Sequence, residues 1–383
     1  MKRVLIIVDT SRSAGRQLLS GAERYTSAFA GWEVHTKSPQ YLRGSGEKDD
    51  YRLDDFDGYF ICDAENISRI IKIKKPKVVN SIHKEKNPGA SSIITNSDKI
   101  GKMAAEYFFS RGFRNFAYCG FGKLSWSQRR YRSYKKSVAR YGGKAVFEFH
   151  GTGQNSGKTE RQLIAKWLQR LPKPLCVFAC NDDRAIYVLE ACKKAGINVP
   201  EQVAVLGVDN DRLVCNLSSP PLSSILLEFE NAGFEGARHL DELMNEKAAN
   251  KVINVDPTEI IERQSTDILA VDDEEVVSAM VFMRNNFHKP IQADDVVEAT
   301  TLSRRALEYR FRHQLNRTIK QELDRLRIKH IKKLLASTTD PLYIIAGTLE
   351  FTDTEHFSRY FKNLTGMGPL EFRRLYGGKS FSG

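Results

Sequence analysis

Five apolar runs in the first 210 residues each end on a carboxylate or an amide: Val8 before Asp9, Cys62 before Asp63, Thr95 before Asn96, Cys180 before Asn181-Asp182, and Val208 before Asp209-Asn210. Such side chains accept and donate hydrogen bonds at close range, the chemistry that holds a ligand with many hydroxyl groups. Trp126 and Arg130 follow a further run, Asn115–Gly120. A guanidinium donates two parallel bonds, and an indole face stacks on the apolar side of a sugar ring. An Asp or Asn after a strand can equally cap the next helix, so each residue alone is ambiguous. As a set they point to a polyhydroxylated ligand.

A second set lies near the carboxyl end. Ser303 can cap a helix with Leu307, Phe311 and Leu315 on one face and Arg305, Glu308, Tyr309 and Arg312 on the other. The pattern recurs, Asp353 capping a helix with Phe357, Phe361 and Leu364 inward and Glu355, Ser358, Arg359 and Lys362 outward. Each is preceded by a short helical stretch, which makes two helix-turn-helix motifs. Between them Ile319–Ala336 carries Leu323, Leu326, Ile331, Leu334 and Leu335 on a broad apolar arc. That helix spans about 27 Å, near the roughly 34 Å between successive major-groove openings on one side of DNA. The net charge of +12 is concentrated between Arg304 and Lys333, as a polyanionic partner requires.

The elements that must position these residues alternate. Strands are expected at Arg3–Val8, Trp32–Thr36, Gly58–Cys62, Lys77–Ile82, Ser91–Thr95, Asn115–Gly120, Ala145–Phe149, Leu175–Ala179 and Val203–Val208. Helical patterns lie between most of them, as at Asp98–Arg111, Ser127–Tyr141, Thr159–Leu171 and Asp182–Ala195. This order predicts parallel sheets covered by helices, and its length predicts two lobes. Ligands of open α/β sheets sit outside the carboxyl ends of the strands, where the five polar termini fall.

Other signals argue against catalysis and cofactors. The six cysteines form no Cys-x-x-Cys pair, and the eight histidines no His-x-x-x-His pair, so no metal site is expected. Gly151–Thr159 misses the phosphate-loop spacing by one residue in either register. No nucleophile is paired with a base. The opening Met1-Lys-Arg leads directly into a buried-strand run with no signal cleavage site, and no apolar run reaches membrane-spanning length; a cytoplasmic protein is expected.

Phe357-Ser-Arg-Tyr-Phe-Lys362 and Gly366-Met-Gly-Pro-Leu-Glu-Phe-Arg373 resemble the DNA-binding domain of the AraC/XylS regulators. That resemblance implies base-facing roles for Arg305, Glu308 and Tyr309, and for Thr354, Glu355, Ser358 and Arg359. The family's turn glycines are replaced here by Thr301 and Glu350, and the glycine after the first reading helix by Asn316. Where such a turn needs positive φ, a side chain adds strain. Asn96-Ser-Asp98, Cys180-Asn-Asp-Asp183, Val199-Pro-Glu-Gln-Val203, Gly207-Val-Asp-Asn210 and Pro220-Pro-Leu-Ser-Ser-Ile225 resemble the LacI/GalR effector core, whose fold is periplasmic-binding-protein-like. This implies ligand contacts from Asp209, Asn181 and Arg130, then Asp182, Trp126 and the Thr10–Arg16 loop.

The expected fold is a two-lobed α/β effector domain over residues 1–266, a linker at 267–273, and an all-α, AraC-type double helix-turn-helix domain at 274–376. A Gly/Ser tail fills 377–383. The combination implies a homodimeric regulator binding a double-stranded DNA operator. Its implied effector is a pentose such as D-xylose, its implied response activation through RNA polymerase. A repressor, a sugar-active enzyme and a transport binding protein are the alternatives.

Overall fold

The computed structural model describes residues 1–36, 52–62, 68–81, 87, 89–151, 157–268, 273–315 and 317–376. Contacts divide the chain into two units, one of residues 1–108 with 113–268 and one of residues 109–112 with 269–383.

Among the described residues the first unit holds two six-stranded sheets. One contains β1 (Lys2–Ile7), β2 (Trp32–Thr36), β3 (Gly58–Cys62), β4 (Lys77–Asn80), β5 (Ser91–Thr95) and β11 (Val252–Val255), in the order β11-β5-β4-β3-β1-β2, all parallel. The other contains β6 (Asn115–Phe121), β7 (Val146–Gly151), β8 (Leu175–Ala179), β9 (Val203–Asp209), β10 (Ser223–Leu227) and β12 (Pro257–Ile261), in the order β12-β10-β9-β8-β6-β7. Only β12 of this sheet is antiparallel to its neighbour. β3 and β8 are buried along their whole length, as strands covered on both faces must be.

The three strands beyond the nine expected, β10, β11 and β12, are the ones whose sequence is broken by Ser223-Ser224, Asn254 and Pro257. In β10 tertiary bonds satisfy the serines: the Ser223 hydroxyl donates to Arg263 O at 2.9 Å and the Ser224 hydroxyl to Asp182 Oδ1 at 2.5 Å.

Among the described residues the helices of this unit are α1 (Ser13–Phe29), α2 (Ser68–Lys72), α3 (Ser97–Phe109), α4 (Ser125–Arg140), α5 (Gly157–Gln169), α6 (Asp182–Ala195), α7 (Arg212–Leu217) and α8 (Phe229–Met244). The chain crosses between lobes at Asn96, Glu228 and Asp256. There Asn96 N–H donates to Val255 O at 2.9 Å and Glu228 N–H to Asp256 O at 3.1 Å. Asp256 also accepts from Asn96 Nδ2 at 2.7 Å and Lys99 Nζ at 2.6 Å, tying the crossings together.

The second unit is helical where described: α9 (Glu274–Asn286), α10 (Ala293–Glu298), α11 (Arg304–Leu315), α12 (Ile319–Ser337), α13 (Leu342–Gly347), α14 (Thr354–Thr365) and α15 (Pro369–Tyr376). It has two small cores. Val276, Met280, Met283, Val296, Leu307 and Phe311 form one, with Ile319 and Leu323 of α12. Ile345, Leu349, Phe357 and Phe361 form the other, with Ile331 and Leu335 of the same helix. Leu364, expected inward, is 46% exposed, because one further turn of α14 carries it past the end of this core. Leu326 and Leu334 are only partly buried, at the edges of the α12 arc.

Candidate ligand cleft and nucleic-acid interface

β9 ends in a corner with unusual backbone. Asp209 has φ 100° and Asn210 φ 50°, values that residues with a Cβ adopt only where the surroundings enforce them. Asn210 Oδ1 accepts from Arg263 Nη2 at 3.0 Å, and Asn210 N–H donates to Ser224 Oγ at 3.0 Å. Behind the corner lies Asp182, 4% exposed. Its carboxyl accepts from Asp211 N–H at 2.8 Å, Ser224 Oγ at 2.5 Å and Cys215 Sγ at 3.3 Å. Gly207 makes the room: a Cβ there would lie 2.3 Å from Asp182 Oδ1.

Arg130, 2% exposed, reaches the same place from α4. It donates to Cys180 O and, at 3.2 Å, to Thr95 Oγ1, and its Nη2 stands 3.8 Å from Asp209 Oδ1. The guanidinium lies over Trp126, 4.7 Å from the ring centroid, while its buried Nε has no hydrogen-bond partner. Trp126 thus supports the arginine with one of its faces. Arg12, Ser13, Ala14, Asp182, Asp183, Asp209, Asp211 and Val214 line a small cleft open to solvent.

Burial and the nearby Asp209 charge push Asp182 up to about 8, against the opposing bonds from Ser224 and Asp211. Burial also pushes Asp209 up to about 6, against the attraction of Arg130. An unfolded aspartate releases its proton near pH 4. Between that pH and 8 the folded protein therefore holds a proton that the unfolded chain does not, and stability falls as pH rises. Urea unfolding of the full chain at several pH values should show a slope of up to about 1.4 kcal/mol per pH unit between pH 6 and 8, and up to about twice that between pH 4 and 6. Asp182→Asn should flatten it between pH 6 and 8 and leave a smaller slope from Asp209 below pH 6. An unchanged slope would mean that Asp182 is ionised throughout.

The structure brings Asp182, Asp209, Arg130 and Trp126 together. It gives three others local work. Asn181 caps α6 by accepting from Arg184 N–H at 3.0 Å, Asp9 Oδ1 accepts from Ser11 N–H at 2.8 Å, and Asn96 serves the lobe crossing. Asp63 lies outside the described residues. Asp183 and Asp211, which no sequence signal singled out, line the cleft beside Arg12 and Ser13 of the Thr10–Arg16 loop, and Arg263 braces Asn210.

In the helical unit, Arg305, Tyr309 and Arg312 are exposed on α11, Tyr309 at 71%, with Glu308 half-buried beside them. Thr354, Glu355 and Arg359 are exposed on α14 and Ser358 is partly so. Asp353 caps α14 through His356 N–H at 2.6 Å. The two turns differ. Glu350 takes φ 53°, whereas Thr301 is not among the positive-φ residues and is held by Glu275, which accepts its N–H at 2.9 Å and its hydroxyl. Asn316 lies outside the described residues. Arg327 of α12 donates to Phe287 O, Lys289 O and Ile291 O at 2.8–2.9 Å, and Tyr360 of α14 donates to Asp324 at 2.8 Å. These bonds tie the connection between α9 and α10, and α14, to α12. No helix among the described residues is long and apolar enough to cross a membrane.

Residues 105–266 match the family model of the periplasmic binding protein-like domain, and residues 296–375 that of a helix-turn-helix domain. The xylose operon regulatory protein of Escherichia coli K12 is 28% identical over 382 residues, covering 97% of this chain and 96% of its own. Its counterpart in Haemophilus influenzae is 26% identical over 386 residues, covering 97% and 98%. The solved structure of the xylose-binding transcription activator xylR aligns with a TM-score of 0.60 and 26% identity over 98% of both chains. A LacI family regulator from Enterococcus faecium, 19% identical with a TM-score of 0.54 over 69% of this chain and 98% of its own, shares the fold of the effector part. With both parts matched in this order along nearly its whole length, the chain is a DNA-binding regulator that joins a periplasmic-binding-protein-like effector domain to a carboxyl-terminal helix-turn-helix domain, related to the xylose operon regulatory proteins.

Proposed function

We propose that the chain is a cytoplasmic, homodimeric activator of a pentose catabolic operon, with D-xylose as effector and an AraC-type pair of helix-turn-helix motifs reading double-stranded DNA. The observation that carries the effector half is the charge balance of the cleft. Asp209 faces Arg130, Asp183 faces Arg12, Asp211 faces Arg16, and the remaining carboxyl, Asp182, holds its proton to about pH 8. A cleft so balanced, with many donors and acceptors, suits a neutral ligand rich in hydroxyl groups better than an anion or a cation. Asp209, Arg130 and Asp182 are the proposed heart of the site, with Trp126, Asn181, Asp9, Asp63 and Asn96 at its margin. The names of the relatives support xylose, and the description of xylR as a transcription activator supports activation, for which RNA polymerase is the proposed partner.

Arg305, Glu308, Tyr309 and Arg312 of α11, with Thr354, Glu355, Ser358 and Arg359 of α14, are the proposed DNA-facing groups. The domain limits proposed are 1–266 and 274–376, coupled by the short connection at 267–273. Titrating a promoter fragment of a pentose operon with and without D-xylose tests the whole reading. Tighter binding with sugar is expected; affinity unchanged across a panel of pentoses and hexoses would overturn the effector assignment, and weaker binding would make the protein a repressor. Arg305→Ala and Arg359→Ala should each weaken specific binding by about 1–3 kcal/mol while sparing random-sequence DNA. Equal losses on both DNAs would reassign the two arginines to phosphate contacts.

A further inference from the structure

Helix α1 begins without a cap of its own. Its N-cap position is Arg12, which makes no capping bond, although Ser, Thr, Asp and Asn are the residues suited to that place. The first helical N–H, that of Ser13, donates instead to Asp211 Oδ2 at 2.9 Å. Asp211 belongs to the other lobe: it follows β9 and caps α7 through Val214 N–H at 3.5 Å. One carboxylate therefore serves two helix starts on opposite sides of the cleft, each a place where negative charge is favoured. Asp211 is held in turn by its own N–H on buried Asp182. The start of α1 is equally constrained, since a Cβ on Gly15 would lie 1.7 Å from Asp9 O.

Outside this bond lies a second cross-lobe pair. Arg12 Nη2 and Nε stand 2.9 and 3.1 Å from Asp183 Oδ1, with side chains 54% and 45% exposed. Arg16 Nη2 adds a longer contact to Asp211 at 3.7 Å.

We propose that Asp211 is a shared helix cap that latches the two lobes, with Arg12 and Asp183 as its rim, and that this latch sets the closure equilibrium of the effector domain separately from the groups that read the ligand. A latch of this kind acts through the population of the closed form, so its loss weakens every ligand of that form by one common factor. That consequence rests on the cleft reading proposed above; the latch itself does not.

Ser13→Pro is the direct test. Proline fits the first position of a helix and the extended backbone of Arg12 suits a residue preceding it, but proline has no N–H to give. Ser13→Ala keeps the N–H and removes only the hydroxyl that bonds Gln17. Spectroscopic distances between labels at Glu23 and Lys194 of the full chain, read without sugar, should lengthen in Ser13→Pro and match wild type in Ser13→Ala. Arg12→Glu should lengthen them too, and the exchange Arg12→Glu with Asp183→Arg should restore them, which covers the case of a misfolded proline variant. In sugar titrations Ser13→Pro should weaken all binding sugars about 5–20-fold alike. Distances unaltered in both Ser13→Pro and Arg12→Glu overturn the latch, as does a change in the ranking of sugars, which would make these residues ligand contacts. Should wild type bind no sugar while the distances shift as stated, the latch stands and the effector reading falls.

Discussion

Asp209→Asn is expected to abolish the sugar-dependent rise in melting temperature while leaving the protein folded. Asparagine occupies left-handed backbone as readily as aspartate, so the corner at φ 100° survives the change. What disappears is the charge. Hydrogen bonds from ligand hydroxyls to a carboxylate contribute about 1.5–3 kcal/mol each, and losing two of that kind weakens binding by at least 100-fold. Arg130 loses its ionic neighbour at 3.8 Å but keeps its bonds to Cys180 O and Thr95, and the cost of ionising a buried Asp209 disappears with the charge, so folding stability at neutral pH should not fall. Asp209→Ala should lose the same sugar response and be about 1 kcal/mol less stable than Asp209→Asn, because alanine resists this backbone. Thermal shift against a sugar library measures both effects. A full sugar response in Asp209→Asn would move the ligand away from this corner.

The other large effect is expected in the helical unit. Phe311 and Phe357 are fully buried in separate cores, one at each half of α12. Phe357 meets Phe351 edge to face at 5.4 Å, and the cluster around it contains only a handful of other buried side chains. Truncating a buried phenylalanine to alanine costs about 3–5 kcal/mol, comparable with the total stability so small a core can supply. Phe357→Ala should therefore unfold α13–α15 while α9–α11 remain formed, and Phe311→Ala should do the reverse. Hydrogen exchange read segment by segment distinguishes the two, and specific DNA binding should fall to the non-specific level in both. Leu364→Ala, on an exposed position of the same helix, should change stability by less than about 0.5 kcal/mol. Equal loss of protection in both motifs after either phenylalanine change would show one cooperative core instead of two.

Both expectations depend on the sequence to different degrees. The apolar positions of α11 and α14, their caps at Ser303 and Asp353 and the continuous strands β3 and β8 follow from local periodicity, because a core-facing side chain recurs every 3.6 residues on a helix and a doubly covered strand is apolar throughout. The alternation of strands and helices sufficed for the α/β architecture; of the polar strand ends, Asp182 and Asp209 line the cleft, whereas Asn181, Asp9 and Asn96 make local bonds. Leu364 shows the limit of periodicity: it lies on the predicted face, but the core ends before reaching it.

What only the tertiary structure decided is which polar residues face one another across that cleft. Asn181, Asp182 and Asp183 are adjacent in sequence, yet one caps a helix, one is buried behind a corner, and one pairs with Arg12 of the other lobe. Arg263 and Asp211 carry no local signal, because their partners, Asn210 and Ser13, are brought to them by the path of the chain. Strand β10 was likewise hidden, its serines satisfied by bonds to distant residues. Local pattern reports how a segment meets the core; the pairing of polar groups depends on where separate segments meet, and no spacing along the chain encodes it.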